Sequence, residues 1–305
     1  MKPNILVIGS SNTDMITKVP RIPRPGETIL GGEFSTAAGG KGANQAVAAA
    51  RAGGEVCFLA CVGDDVFGDR AIGGFVRDGI NVKYIHRKHT PSGMALIFVA
   101  ADGQNSIAVA PGANSQLSQA DVKRAQAAFH EADALLLQLE IPLATVTAAI
   151  KQATKWDLPV ILNPAPAQRL PGDLLQHVSI ITPNESEAES LPGIKLPSEA
   201  SARRAAQALH HHGVETVIIT LGSRGAFVSN GTTHKVVPGF KVQAEDSTAA
   251  GDVFNGALAV ALAERKGLLA AVRFANAAAA ISVTRVGAQP SIPARKEIDR
   301  LLRQR

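Results

Sequence analysis

Short apolar runs alternate with longer stretches in which Ala, Leu and Val recur at helical spacing. The runs are Ile5–Gly9, Val56–Val62, Ala134–Leu139, Pro159–Asn163, Ser179–Thr182 and Thr216–Leu221. The helical patterns are Ala43–Ala52, Gly68–Asp78, Ser118–Glu131, Leu143–Trp156, Ser198–His211, Ala250–Arg265 and Leu268–Val286, several opening on a Ser or Asp that can cap a helix. Strand and helix in regular alternation predict an α/β fold, with a mostly parallel sheet and helices on both of its faces.

Two segments break that rhythm. Thr13–Val19 with Glu27–Phe34, and Gly93–Val99 with Gln104–Ala110, read as pairs of hairpin-like strands, the second joined around Asp102-Gly103. Inserted between helix-and-strand units, they do not fit a parallel sheet and are expected to form a small β-lid, at about residues 12–35 and 93–110 of one domain spanning 1–305. The lid would cover the carboxyl ends of the central strands, where open α/β sheets bind ligands, and keep water out. Apolar Ile97, Val99, Ile107 and Val109 on that sheet predict a lid-to-lid homodimer.

Composition narrows the classes. The 305 residues are 46% hydrophobic, enough for a substantial core, and no apolar run reaches the roughly 18 residues of a membrane span. Met1-Lys2-Pro3-Asn4 leads into the first strand without a signal-peptide pattern, so a cytoplasmic protein is expected, with no membrane partner. Cys57 and Cys61 share one face of one strand and read as buried free thiols. A net charge of +5 and a pI near 9.4 raise the question of nucleic acid, but the basic residues are scattered and only 4% of residues are aromatic. Arg295, Lys296, Arg300, Arg303 and Arg305 instead read as the solvated face of a short helix. His210-His211-His212 cannot converge on one ion, because consecutive helical positions point about 100° apart.

The candidate chemistry lies at the ends of these elements. In the run from Asp246 to Gly256, small residues bring the N–H groups of Ala249, Ala250 and Gly251 to a helix start, with Ser247 or Thr248 near the cap and Asp252 beside them. Such an end stabilises an anion, and Asp252 can take a proton from an attacking hydroxyl. From Ala38 to Ala46, small residues surround Lys41 and Asn44 at another helix start. Its glycines suit close approach of a polyhydroxy ligand, or equally a tight turn. Asn12 and Asp14 follow the first strand and Glu140 follows Leu135–Leu139, placing acceptors where vicinal hydroxyls would bind. Asn184 and Glu187 suit a hydrated Mg²⁺ or a capping box. Thr220-Leu221-Gly222-Ser223-Arg224-Gly225 ends a strand in a turn fit for nucleotide phosphates or for a hairpin. No GxxxxGK[ST] loop is present, and no GxGxxG follows the first strand.

Taken in order, Gly39–Asn44, Thr-Pro-Asn-Glu-x-Glu, Thr-Leu-Gly-Ser-Arg-Gly and Asp-Ser-Thr-Ala-Ala-Gly-Asp resemble the motifs of the PfkB carbohydrate-kinase family, and the likeness runs from Gly9 to Ser291. The resemblance implies a three-layer α/β/α domain whose β-lid is shared in a dimer. It also implies transfer of the γ-phosphoryl of ATP to the 5-hydroxyl of D-ribose, an assignment carried by Gly39–Asn44 and Glu140. Asp252 would be the catalytic base. By position, Asn12, Thr13, Asp14, Gly40, Lys41, Gly42, Ala43, Asn44 and Glu140 would contact the sugar. Asn184, Thr220, Leu221, Gly222, Ser223, Arg224, Gly225, Gly251 and Asn276 would line the nucleotide site, with Glu187 organising Mg²⁺ through water. Asp246, Thr248, Ser282, Arg285, Gly287 and Ser291 would hold an activating K⁺, several through backbone carbonyls. Two positions depart from the pattern: Ser247, where threonine is common, and Asn276, where a histidine can occupy the adenine side, which leaves base preference open. A kinase for 2-deoxyribose, fructose or adenosine and a non-catalytic sugar-binding regulator are the rival readings.

Overall fold

A computed structural model describes residues 2–30, 32–191, 193–195 and 198–304. The chain opens with β1 (Asn4–Ile8), β2 (Asn12–Val19), β3 (Glu33–Gly39), α1 (Lys41–Arg51), β4 (Glu55–Gly63), α2 (Val66–Arg77), β5 (Ile85–Lys88), β6 (Gly93–Ala100) and β7 (Asn105–Ala110). It continues through α3 (Gln119–Arg124), α4 (Gln126–Glu131), β8 (Ala134–Leu137), α5 (Leu143–Thr154), β9 (Val160–Leu162), α6 (Gly172–Leu175), β10 (Ile180–Ile181), α7 (Glu185–Ser190), α8 (Glu199–His211) and β11 (Thr216–Thr220). Last come β12 (Gly225–Ser229), β13 (His234–Pro238), α9 (Ala250–Ala263), α10 (Leu268–Ser282) and α11 (Arg295–Arg303).

Among the described residues, nine strands form one sheet in the order β13-β12-β11-β10-β9-β8-β1-β4-β5, parallel except where β12 pairs with β11 and β13. Strand side chains alternate between two cores. Ile5, Val7, Phe58 and Ala60 pack with α1, α9 and α10, whereas Leu6, Ile8, Leu59 and Cys61 pack with α3, α5 and α8. This is the expected layering of helix, sheet and helix. From β1 the chain moves to β4 on one side and later to β8 on the other, so the crevice at the carboxyl ends of β1 and β8 is the switch point of the sheet.

The strands expected in the lid form a second, smaller sheet, β3-β2-β6-β7. Its register puts Asp14, Ile16, Ala95, Ile97, Ile107 and Val109 on one face and Met15, Thr17, Phe34, Leu96 and Phe98 on the other. Ile107 and Val109 are exposed as expected, while Ile97 and Val99 are half-buried. The opposite face, not expected to be apolar, also exposes Phe34, Leu96 and Phe98.

Several boundaries differ from the sequence reading. The strand expected at Glu27–Phe34 is β3 at Glu33–Gly39; Pro20, Pro23 and Pro25 lack ladder donors, and Arg21 pairs with Glu27 across the intervening turn. Gly31, within that expected strand, lies outside the described residues. The single helix expected over Ser118–Glu131 is α3 and α4, broken at Ala125, whose N–H is shared between the carbonyls of Asp121 and Val122. Cys61 is buried and Cys57 half-buried, both are free, and burial pushes their thiols up to about 12 and about 11. His210 spends its ring nitrogens on the Val214 carbonyl and the Ser229 hydroxyl, each at 2.8 Å, at the end of α8. No helix among the described residues is long and apolar enough to cross a membrane.

Candidate active site

α9 starts without a side-chain cap. Its N-cap is Ala249, held left-handed at φ 60°, a conformation that costs a non-glycine residue about 1–2 kcal/mol. Neither Ser247 nor Thr248 caps the helix, contrary to expectation: the Thr248 amide and hydroxyl donate to Asp246 Oδ1 at 2.9 and 2.6 Å. The Ala250 N–H donates to the Ser247 carbonyl at 3.2 Å, so around this helix start the donors without a partner among the described residues are those of Ala249, Gly251 and Asp252. A side chain added at Gly251 would meet nothing within 4 Å, so the space before these donors is open. Unpaired N–H groups at the positive end of a helix dipole bind anions.

Asp252 sits on that first turn, only 6% exposed. Its Oδ2 accepts from Asn44 Nδ2 at 3.0 Å and its Oδ1 from Gln45 Nε2 at 2.9 Å. α1 and α9 approach this closely because residue 256 is glycine: a Cβ there would lie 2.6 Å from the Gln45 carbonyl oxygen and 2.7 Å from the Ala49 nitrogen. Burial drives the Asp252 carboxyl above its ordinary range, against the opposing pull of Lys41 and of the Gln45 and Asn44 donors. For Lys41, burial works against the charge, but Asp252, Glu140 and Glu187 outweigh it and raise its pKa. Asp14 is raised to about 6 by burial, then by the nearby charges of Glu140 and Asp252.

Glu140 ties three elements together. One of its oxygens accepts from the Ser10 hydroxyl at 2.5 Å, beyond β1, and from the Lys41 amide at 3.0 Å, at the start of α1. Asn12 is held through Asn114, whose Nδ2 donates to Asn12 Oδ1 at 2.7 Å. The glycines of the first motif are required by backbone packing. Gly40 has φ +89° and an added Cβ would lie 2.7 Å from the Asn12 nitrogen, while one at Gly42 would lie 2.5 Å from the Ser10 nitrogen. Thr13 points to the lid face opposite Asp14. Ala43 has its methyl in the core and its N–H on the Ser10 carbonyl, at 2.8 Å.

The other expected groups gather at the ends of the neighbouring strands. Asn184 and Glu187 form a capping box at α7: Asn184 Oδ1 accepts from the Glu187 amide at 2.8 Å, and Glu187 Oε2 accepts from the Asn184 amide at 2.9 Å. Burial raises the Glu187 carboxyl, partly offset by the Asn184 amide and Lys41. Thr220 bridges to Asn184, its N–H on the Pro183 carbonyl at 3.0 Å. Leu221 is buried, Gly222 and Ser223 form a single turn, and Arg224 pairs with Glu185. A Cβ at Gly225, where φ is +99°, would lie 2.1 Å from the Val237 oxygen, so this turn admits only glycine. Asn276 donates to the carbonyls of Val237 and Pro238 at 3.1 and 3.2 Å, fastening α10 to β13. Asp246 joins its own loop to the Gly287 amide at 2.8 Å, while the hydroxyls of Ser282 and Ser291 donate to backbone carbonyls and Arg285 pairs with Glu297. Burial disfavours the Asp246 charge, but its bonds to Thr248 and Gly287 prevail and lower its pKa.

The family described as "pfkB family carbohydrate kinase" matches residues 2–295. The chain belongs to that family. It is 49% identical over 298 residues to a ribokinase of Haemophilus influenzae, covering 97% of each chain. It is 39% identical over 301 residues to a deoxyribokinase of Salmonella typhimurium, covering 98% of each. A solved structure of Arabidopsis thaliana ribokinase complexed with ribose and ATP superposes with a TM-score of 0.92 at 34% identity, covering 99% of each chain.

This pfkB-family kinase also holds site residues that the motifs did not single out. Gln138 and Asn163, with Gln45, form a buried amide chain to Asp252, and Thr182 donates to Asn255 Oδ1 at 2.6 Å while Asn255 Nδ2 donates to the Gly251 carbonyl at 2.8 Å. Their signal is positional. Gln138, Asn163 and Thr182 each come directly after an apolar strand, where a parallel sheet opens on its crevice.

Proposed function

We propose that this carbohydrate kinase transfers the γ-phosphoryl group of ATP to the 5-hydroxyl of D-ribose. The observation that carries the reading is Asp252, a buried carboxylate held by two amide donors on the first turn of an uncapped helix, within electrostatic reach of Lys41 and Glu140. Ribose hydroxyls would be oriented by Asn12, Asp14, Asn44 and Glu140, with the backbone of Gly40 and Gly42 fixing the approach. Asp252 takes the proton of the attacking hydroxyl, and the Ala249, Gly251 and Asp252 amides, with Ala250 turned to Ser247, receive charge on the moving phosphoryl group. Lys41 holds a positive charge between sugar and phosphate.

The donor sets suit the expected ions. Glu187 spends one oxygen on its capping box, and among the described residues no group of three His, Cys, Asp or Glu is placed to hold a metal ion. Mg²⁺ would therefore be held largely by water and phosphate oxygens with Glu187 behind them, neutralising phosphate charge. The 246–248 and 282–291 segments, joined through Asp246, offer the oxygen-rich setting that K⁺ requires, with Ser282, Arg285, Gly287 and Ser291 beside it. K⁺ there would stiffen the loop entering α9. Asn184, Thr220, Gly222, Ser223, Gly225 and Asn276 would frame the nucleotide, and the apolar lid face around Ile107 and Val109 would pair with a second copy.

ADP release measured with ribose, 2-deoxyribose, fructose and adenosine tests the reading, with kcat/KM expected to be highest for ribose. Preference for another acceptor would reassign the substrate within the family, and calorimetric sugar binding without ATP turnover would make the protein a regulator.

A further inference from the structure

Gln45 is fully buried and has no route to a ligand, yet its amide is the most constrained polar group beside Asp252. Its Nε2 donates to Asp252 Oδ1 at 2.9 Å and to Asn163 Oδ1 at 3.0 Å, and its Oε1 accepts from Gln138 Nε2 at 2.6 Å. The amide can face only one way. Asn163 Nδ2 donates to the Thr182 carbonyl at 3.2 Å, and because a backbone carbonyl only accepts, Asn163 must turn its oxygen toward Gln45. Gln45 must then present its NH₂ to Asn163 and Asp252, and its oxygen to Gln138.

The two carboxylate oxygens therefore differ. Oδ1 faces this amide chain, which ends on the unpartnered Gln138 Oε1, whereas Oδ2 accepts from Asn44, whose own Oδ1 is likewise buried without a hydrogen-bond partner. An unpaired buried acceptor at this point is costly unless a ligand hydroxyl completes it. We propose that Gln45, backed by Gln138, is the positioning residue for Asp252, clamping Oδ1 so that Oδ2 alone takes the proton of the sugar hydroxyl. As the hydroxyl oxygen bonds to phosphorus, its proton passes to Oδ2, and ADP leaves with the electron pair of the broken bridging P–O bond. The inference rests on the proposed function, in which Asp252 is the base.

Gln45→Leu keeps the volume and removes the donor. It is expected to lower kcat about 10²-fold with KM for ribose changed less than about twofold, since misplacing a reacting group costs the chemical step rather than ground-state binding. The acid limb of the pH–kcat profile should move to higher pH, because a donor favouring the ionised carboxylate is gone. In an Asp252→Asn background, Gln45→Leu should cause no further loss, as there is no base left to position. Gln138→Met, which keeps Gln45 but frees its oxygen, should give a smaller loss with the same direction of pH shift, and decides the matter if Gln45→Leu does not fold.

A Gln45→Leu enzyme within about twofold of normal kcat overturns the inference. So does a loss of kcat with an unmoved acid limb, or losses that add to those of Asp252→Asn, either of which would mark a merely structural role. Near-normal turnover by Asp252→Asn alone would instead overturn the proposed base itself, an outcome read from that single variant.

Discussion

At the floor of the site, Asp252, Gln45, Gln138 and Asn163 are buried and linked by hydrogen bonds of 2.6–3.0 Å; at its roof, β7 is exposed along its whole length and Phe34 is 65% exposed. The proposed reaction would need both regions, but they are organised differently. The floor lies between helices and strands that bury one another, so its polar groups can find partners within the chain. The lid is four strands with apolar side chains on both faces, joined to the body at Asn12 and Gly39 on one side and at Gly93 and Ala110 on the other. A single chain can fix the catalytic geometry. In the proposed reaction, covering the sugar would be left to a sheet that a ligand or a second copy completes.

The largest effect that separates the two regions is expected at the floor. Asp252→Asn should bind ribose, checked by calorimetry, while kcat falls by about 10²–10⁴. Next come two glycines on the same helix. Gly256→Ala drives a methyl group into the α1 backbone and should destabilise the fold by about 1–3 kcal/mol in denaturant titration, lowering kcat as Asp252 is displaced. Gly251→Ala meets open space and should leave the midpoint unchanged or higher, yet raise KM for ATP. Equal loss of stability in both would refute the view that one glycine serves packing and the other the ligand.

Asp14 tests the junction of floor and roof. Its carboxyl titrates near 6, above the ordinary 3.8, so the folded protein holds a proton that the unfolded chain has released. Its contribution to stability is full below about pH 3.8 and is lost as pH rises through 6. Asp14→Asn should therefore raise stability by about 1–2 kcal/mol at pH 8 and hardly at all at pH 4, while weakening ribose binding. An equal gain at both pH values would contradict the titration. The smallest change in folding belongs to the lid. Ile107→Lys should alter the melting free energy by less than about 0.5 kcal/mol, yet halve the mass seen in light scattering if the proposed dimer forms there.

Much of this could be read from the chain. The α/β layering, the inserted lid strands and the convergence of Asp14, Lys41, Asn44 and Glu140 near Asp252 follow from apolar runs and from polar residues placed where those runs stop. Boundaries were less legible where prolines and shared hydrogen bonds decide them, as at β3 and Ala125. The reason for a glycine was not legible either. Gly42, Gly251 and Gly256 look alike in a sequence, but one packs against the Ser10 backbone, one faces open space and one admits a neighbouring helix.

The pattern of side chains by itself determined which segments become strands, which ends carry chemistry and which family the motifs match, because these depend on local periodicity and residue type. Only the folded chain decided that Ala249 rather than Ser247 starts α9 and that Gln45 grips one oxygen of Asp252. The grip of Gln45 depends on a contact between residues 207 positions apart, set by how closely α1 and α9 can pack, and no local pattern encodes that distance.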